Sequence, residues 1–233
     1  MVNILPIPSN LLIFHGIFKL ICAGLGLIFT YLLFLKYLEK KSRIAFGFVF
    51  VFINLILGNV FSSFDNLLGW DHLLGPETWL GYGLGQIFSS LATVGYFGEY
   101  IEVFKVKEQW TSSLKQKFLL FTIVELVTAV FMLTYYVIGF PSDLYIPTGI
   151  NLVFTLIVYF AWLEGTTRLL KSIEDPIYKR RFQYFRKVAI SFIIVMFFLA
   201  LSALCDQPSF VTWVGLLSMI LGMYFGYKAI LSS

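Results

Sequence analysis

Cysteine and histidine are nearly missing from this sequence, with two of each. No CxxC pair and no Cys/His cluster is present, so no metal or cofactor is expected. Cys22 should lie well inside the first apolar run and Cys205 near the outer end of the sixth. A disulfide between such different depths is not expected, because the bond requires close Cα atoms. Charge is scarce as well: 13% of residues are charged, against about 25% in a soluble domain. The hydrophobic share is 59% and the mean hydropathy +0.85. These values exclude a soluble globular domain and leave no nucleic-acid partner to expect. No basic residue precedes the first long apolar run, which is longer than a signal-peptide core. It reads as a retained span.

What the chain does have is a series of apolar runs of about 20 residues, the length that crosses roughly 30 Å of hydrocarbon. The runs predict an all-α integral membrane protein, a single seven-helix transmembrane domain over 1–233, with spans at about 11–35, 44–64, 79–104, 118–140, 148–170, 188–204 and 210–227. Charge sets the expected orientation. Of the 17 Lys and Arg residues, all but Lys19 fall on one side, in the loops after spans one, three and five and at the C-terminus. The positive-inside rule then predicts the N-terminus outside and the C-terminus cytoplasmic, in a multi-pass protein of the cell membrane.

The stretch from Trp79 to Lys107 is the most polar of the seven. It carries Gln86, Ser89, Ser90, Thr93, Glu99 and Glu102 among five glycines, so it predicts a hub around which the other helices pack. The small-residue ladders Gly81/Gly85/Ser89 and Ser218/Gly222/Gly226 predict close helix approach. Short matches such as Ile7-Pro8-Ser9 with Ile146-Pro147-Thr148, and Tyr96-Phe97-Gly98 with Tyr224-Phe225-Gly226, suggest a 3+1+3 parallel repeat with span four as connector. Chance is the rival reading, because Phe and Tyr are abundant.

Ionisable and amide side chains inside a membrane face the bundle interior, water or each other. Asn54, Gln86, Glu99, Glu125 and Glu164 are therefore the candidates for ligand binding or proton coupling. Glu125 has no basic residue within one helical turn, and Glu99 is expected at comparable depth on an adjacent helix. Glu164 has a simpler reading, an ion pair with Arg168 four residues on. His15, Lys19 and Asp65 form a candidate outer vestibule, with a structural Lys19–Asp65 pair as the plainer alternative. The basic segment 171–187 is read as a loop, and its alternating aromatic and cationic residues suit anionic membrane lipid or a cytoplasmic protein partner.

Seven spans with an outside N-terminus resemble, in architecture alone, G-protein-coupled receptors, microbial rhodopsins and small two-repeat sugar transporters. The motifs of these families are lacking. Lys228 stands at the cytoplasmic end rather than within the seventh span, and the end of the third span reads Glu99-Tyr100-Ile101-Glu102. The expectation is a non-enzymatic receptor or sensor that binds a small or lipidic ligand. A small solute transporter, with proton coupling as one form of it, and a non-catalytic subunit or scaffold are the alternatives.

Overall fold

A computed structural model describes residues 9–68, 80–104, 111–138, 145–204 and 209–231. These residues form seven helices: α1 (Ser9–Lys40), α2 (Arg43–Leu68), α3 (Leu80–Phe104), α4 (Ser112–Ile138), α5 (Tyr145–Ser172), α6 (Pro176–Leu204) and α7 (Ser209–Leu231). The loop residues Asp71, His72, Glu77 and Asp143 and the second cysteine, Cys205, lie outside the described residues. Five helices, α1, α2, α4, α5 and α7, are long and apolar enough to cross a membrane. Glycine and polar residues dilute α3, and basic residues fill the first turns of α6. Large aliphatic and aromatic side chains stand exposed on the outward faces of α1, α4 and α5, among them Ile21, Leu120 and Phe160. Soluble monomers rarely expose so much contiguous apolar surface, and the fold is consistent with an all-α membrane protein.

Each helix packs against its neighbours in sequence, and α1 closes the ring against α7. Residue pairings give the direction of each neighbour. Along α2 and α3, Asp65 meets Gly81, Gly58 meets Gly85 and Gly47 meets Glu99, so the two run antiparallel. Along α1 and α7, His15 meets Trp213 and Gly26 meets Met223, so these two run parallel. α3 and α5 also touch and are parallel, since Ser90 pairs with Asn151 and Thr93 with Thr155. α1, α3, α5 and α7 thus point one way, and α2, α4 and α6 the other. The expected hub is narrower than its composition suggests: α3 packs against α2, α4 and α5 and is a member of the ring.

The ring has a filled interior. Phe48 and Phe52 of α2, Tyr96 of α3, Tyr159 and Trp162 of α5, and Phe185 and Phe192 of α6 are all buried. Their rings stack or meet edge to face, with centroids 4.9 Å apart for Tyr96 and Trp162 and 5.5 Å for Phe48 and Phe185. The Trp162 indole donates to the Tyr96 carbonyl at 3.0 Å, which ties α5 to α3. On the α2 face of α3 the small residues act as expected. A Cβ on Gly81 would lie 2.3 Å from the Phe61 carbonyl oxygen, and one on Gly85 2.8 Å from that of Gly58. Only glycine permits this approach. In α7, Gly222 faces Phe192 of α6 while Gly226 faces Phe52 of α2.

One boundary differs substantially from the sequence reading. The segment 171–187 is helical apart from three residues, 173–175, and so is not a loop. Asp175 caps α6: its Oδ1 accepts from the Ile177 and Tyr178 N–H groups at 2.7 and 3.3 Å, and Pro176 holds the first helical position. The other tight junction joins α1 to α2. There Lys41 adopts φ 50°, a left-handed conformation that favours glycine, and Ser42 Oγ accepts from the Ala45 N–H.

Candidate functional site

Two groups of buried polar residues occupy the bundle at different levels. The first lies where α3, α4 and α5 converge. Glu125 of α4 is fully buried, at 0% exposure. Asn151 of α5 bridges it to α3: its amide nitrogen donates to Glu125 Oε2 at 2.7 Å and to Ser90 Oγ at 2.9 Å. Glu125 Oε1 is buried without a hydrogen-bond partner, and the carboxyl makes no ion pair among the described residues. An ionised carboxylate in such a place is a buried charge without a counter-ion, which is costly; a carboxylic acid carries no such cost. Directly along α3 and α5, Thr93 and Thr155 are buried with their hydroxyls 3.4 Å apart. Tyr159 follows on α5, with its ring 5.1 Å from that of Tyr96.

Glu99 stands elsewhere. Its carboxyl lies against α2, where a Cβ on Gly47 would fall 1.5 Å from Glu99 Oε1. It is 5% exposed, and its Oε2 has no partner. Nine residues separate it from Ser90, roughly 13 Å along α3 and half a helical turn around it. Glu99 and Glu125 are thus not at comparable depth. Asn54 donates to the Phe50 carbonyl of its own helix at 2.8 Å, a local bond. Gln86 is half-buried and has no hydrogen bond among the described residues. Glu164 pairs with Arg168 on the exposed face of α5.

The second group occupies the opposite end of α2 from Gly47. Lys19, only 5% exposed, donates to the Tyr82 hydroxyl at 3.0 Å, and Asn66 donates to the same oxygen at 3.3 Å. Asp65 accepts from the backbone N–H groups of Gly81 and Tyr82 at 2.8 and 2.6 Å. A residue of α2 therefore caps the N-terminus of α3, satisfying donors that a helix start leaves unpaired. Tyr82 stands between Lys19 and Asp65, so the bond shown for the lysine runs to the tyrosine. His15 belongs to a different joint: the Trp213 indole of α7 donates to its Nδ1 at 3.2 Å. An indole N–H can only donate, so Nδ1 must be the unprotonated nitrogen.

Tyr82, Trp213, Asn66, Tyr96 and Tyr159 were not among the residues read as candidates from the sequence. For Tyr159 a signal existed, since Asn151, Thr155 and Tyr159 fall four apart on α5. For the others, nothing in the order of residues shows which helix they face. No group of three or more His, Cys, Asp or Glu residues capable of holding a metal occurs among the described residues. Two surface depressions lie on outward faces, one on α4 at Leu126, Val127, Val130 and Phe131, the other on α5 around Glu164 and Arg168. Comparison with protein-family models, curated proteins and solved structures finds no match.

Proposed function

We propose that this chain is a seven-span membrane protein of receptor or sensor type, with its N-terminus outside and its C-terminus cytoplasmic. The sensing site is the junction of Glu125, Asn151 and Ser90. The ring supports seven crossings: α3 lies beside α2 along its length, α6 lies between α5 and α7, and α1 is parallel to α7, as an odd number of crossings requires. The basic residues gathered at one end support the orientation.

The observation that carries the sensing site is a carboxyl fully buried at a three-helix junction with one oxygen unpartnered. Buried polar atoms are nearly always paired, and exceptions call for a reason. α4 and α5 form the sparsest contact between chain neighbours in the ring. A small ligand offering a hydrogen-bond donor would reach Glu125 between them, and its binding would change how α5 and α6 carry their basic turns on the cytoplasmic side. The same carboxyl, if it took up and released protons, would serve a proton-coupled transporter, which is the second reading.

The test is the melting temperature of the protein in lipid nanodiscs across a panel of small solutes. A solute that raises it saturably in wild type, and no longer does so in Glu125→Gln or Asn151→Ala, supports the site. Saturable uptake of that solute into vesicles selects the transporter. If no solute acts, the sensing site falls.

A further inference from the structure

Four aromatic rings form a row across three helices: Phe29 of α1, Tyr224 and Phe225 of α7, and Tyr184 of α6. Successive centroids are 5.8, 5.6 and 6.4 Å apart. Two lysines stand on this row. Lys187 Nζ is 5.4 Å from the Tyr184 centroid and 5.3 Å from that of Phe225, while Lys228 Nζ is 5.6 Å from that of Tyr224. The ring faces attract an ammonium at such distances and hold it in place. Lys187 is exposed and makes no ion pair among the described residues.

Sequence spacing sets each lysine at the end of an apolar stripe. On α6, Lys187, Ile190 and Ile194 recur at three and four residues and are exposed. On α7, Leu217, Leu221 and Tyr224 are exposed at the same spacing, and Lys228 continues the series. α6 and α7 run antiparallel, since Tyr184 meets Phe225 and Phe198 faces Gly215, so both stripes carry their lysine at the same end. Depth separates these lysines from the outer charges. Gly26 of α1 meets Met223 of the parallel α7, which puts Lys228 level with Tyr31, roughly 7 Å short of Lys36. Lys187 lies roughly 10 Å along α6 from Arg180. Aromatic side chains gather at the headgroup level of a membrane, and the two ammonium groups share that level.

We propose that Lys187 and Lys228 hold the headgroup of an anionic phospholipid, whose acyl chains lie along the exposed stripes of α6 and α7. Charge complementarity names the occupant. Two cations at one level above an apolar surface match a negative phosphodiester above two hydrocarbon chains. Phosphatidylcholine offers the same phosphate, but its choline cation offsets the charge. The proposal rests on the chain's crossing a membrane and is independent of the Glu125 junction.

The experiment titrates phosphatidylglycerol, and separately phosphatidylcholine, into the full chain in neutral detergent and counts bound lipids by native mass spectrometry. The first phosphatidylglycerol should bind more tightly than the first phosphatidylcholine. Lys187→Gln and Lys228→Gln should each weaken it about fivefold, the worth of one basic residue at an anionic headgroup. Lys187 is exposed, so its variant keeps the packing intact. Phe225→Leu keeps both charges and removes a ring from beneath one, for a loss of about twofold. Arg180→Gln should have clearly less effect, because that charge lies about a Debye length away. Equal binding of the two lipids overturns the site, as does an equal loss in Arg180→Gln and Lys187→Gln, which would mean diffuse attraction. A two-chain species that phosphatidylglycerol does not dissociate assigns the face to a second copy and overturns the lipid. A chain that stays monomeric in buffer without detergent overturns the membrane-spanning reading together with the site.

Discussion

At the scale of single residues, the bundle is most exposed to change where a side chain occupies space that a glycine leaves. Gly47 gives its space to the Glu99 carboxyl. Gly47→Ala should destabilise the protein by about 1–3 kcal/mol, the usual cost of overpacking. In a Glu99→Ala background the same change should cost clearly less, because the clashing atoms are gone; a double-mutant cycle on unfolding in detergent reads the difference. Equal costs in both backgrounds would show that Gly47 is needed for something else. Lys41 offers the opposite case. Its left-handed backbone carries strain that glycine relieves, so Lys41→Gly should gain roughly 1 kcal/mol, seen as a higher melting temperature. The Glu164–Arg168 pair was legible in the sequence because it obeys a spacing within one helix. The partners of Lys19 and Glu125 were not, since they depend on which faces of different helices meet. The sequence suggested Asp65 for Lys19; the structure gives Tyr82, whose side chain and backbone serve Lys19, Asn66 and Asp65 at once.

At the scale of helices, hydropathy revealed where the apolar runs lie, but it could not mark where helices end, because a helix can continue past its apolar portion. The signal for α6 was present as Asp175-Pro176, a cap followed by a favoured first residue, and basic composition masked it. Asp175→Ala should cost about 1 kcal/mol and fray the first turn, so amide exchange should rise at Ile177 and Tyr178 while the rest of α6 stays protected. The α2–α3 contact is less forgiving. Gly81→Ala would drive a Cβ against the Phe61 backbone and crowd the Asp65 cap together. A loss of about 3 kcal/mol or more is expected, the upper range for overpacking, and Gly24→Ala, which meets nothing within 4 Å, is the neutral control in the same melting assay. Similar losses for both would mean that α2 and α3 do not approach as described.

At the scale of the whole molecule, the alternation of helix direction along the chain makes one topological prediction. Reporters fused at the N-terminus and C-terminus should be accessible from opposite sides of the membrane, with the C-terminal one on the side that holds the basic turns of α6. Reporters found on the same side would remove the seven-crossing arrangement. The alternation of helix direction was readable from the charge distribution, whereas ring order was not, because charge marks one end of a helix and says nothing of its neighbours. The seam between α1 and α7 has a consequence for synthesis. It joins α1 to α7, which is made after the other six helices, so the ring stays open until α7 emerges. Until α7 arrives, His15, Gly26 and Asn59 have no Trp213 or Met223 or Met219 to meet. A chain truncated before Ser209 would leave these groups turned toward lipid for as long as it lasts, a surface that membrane quality control can recognise as unfinished.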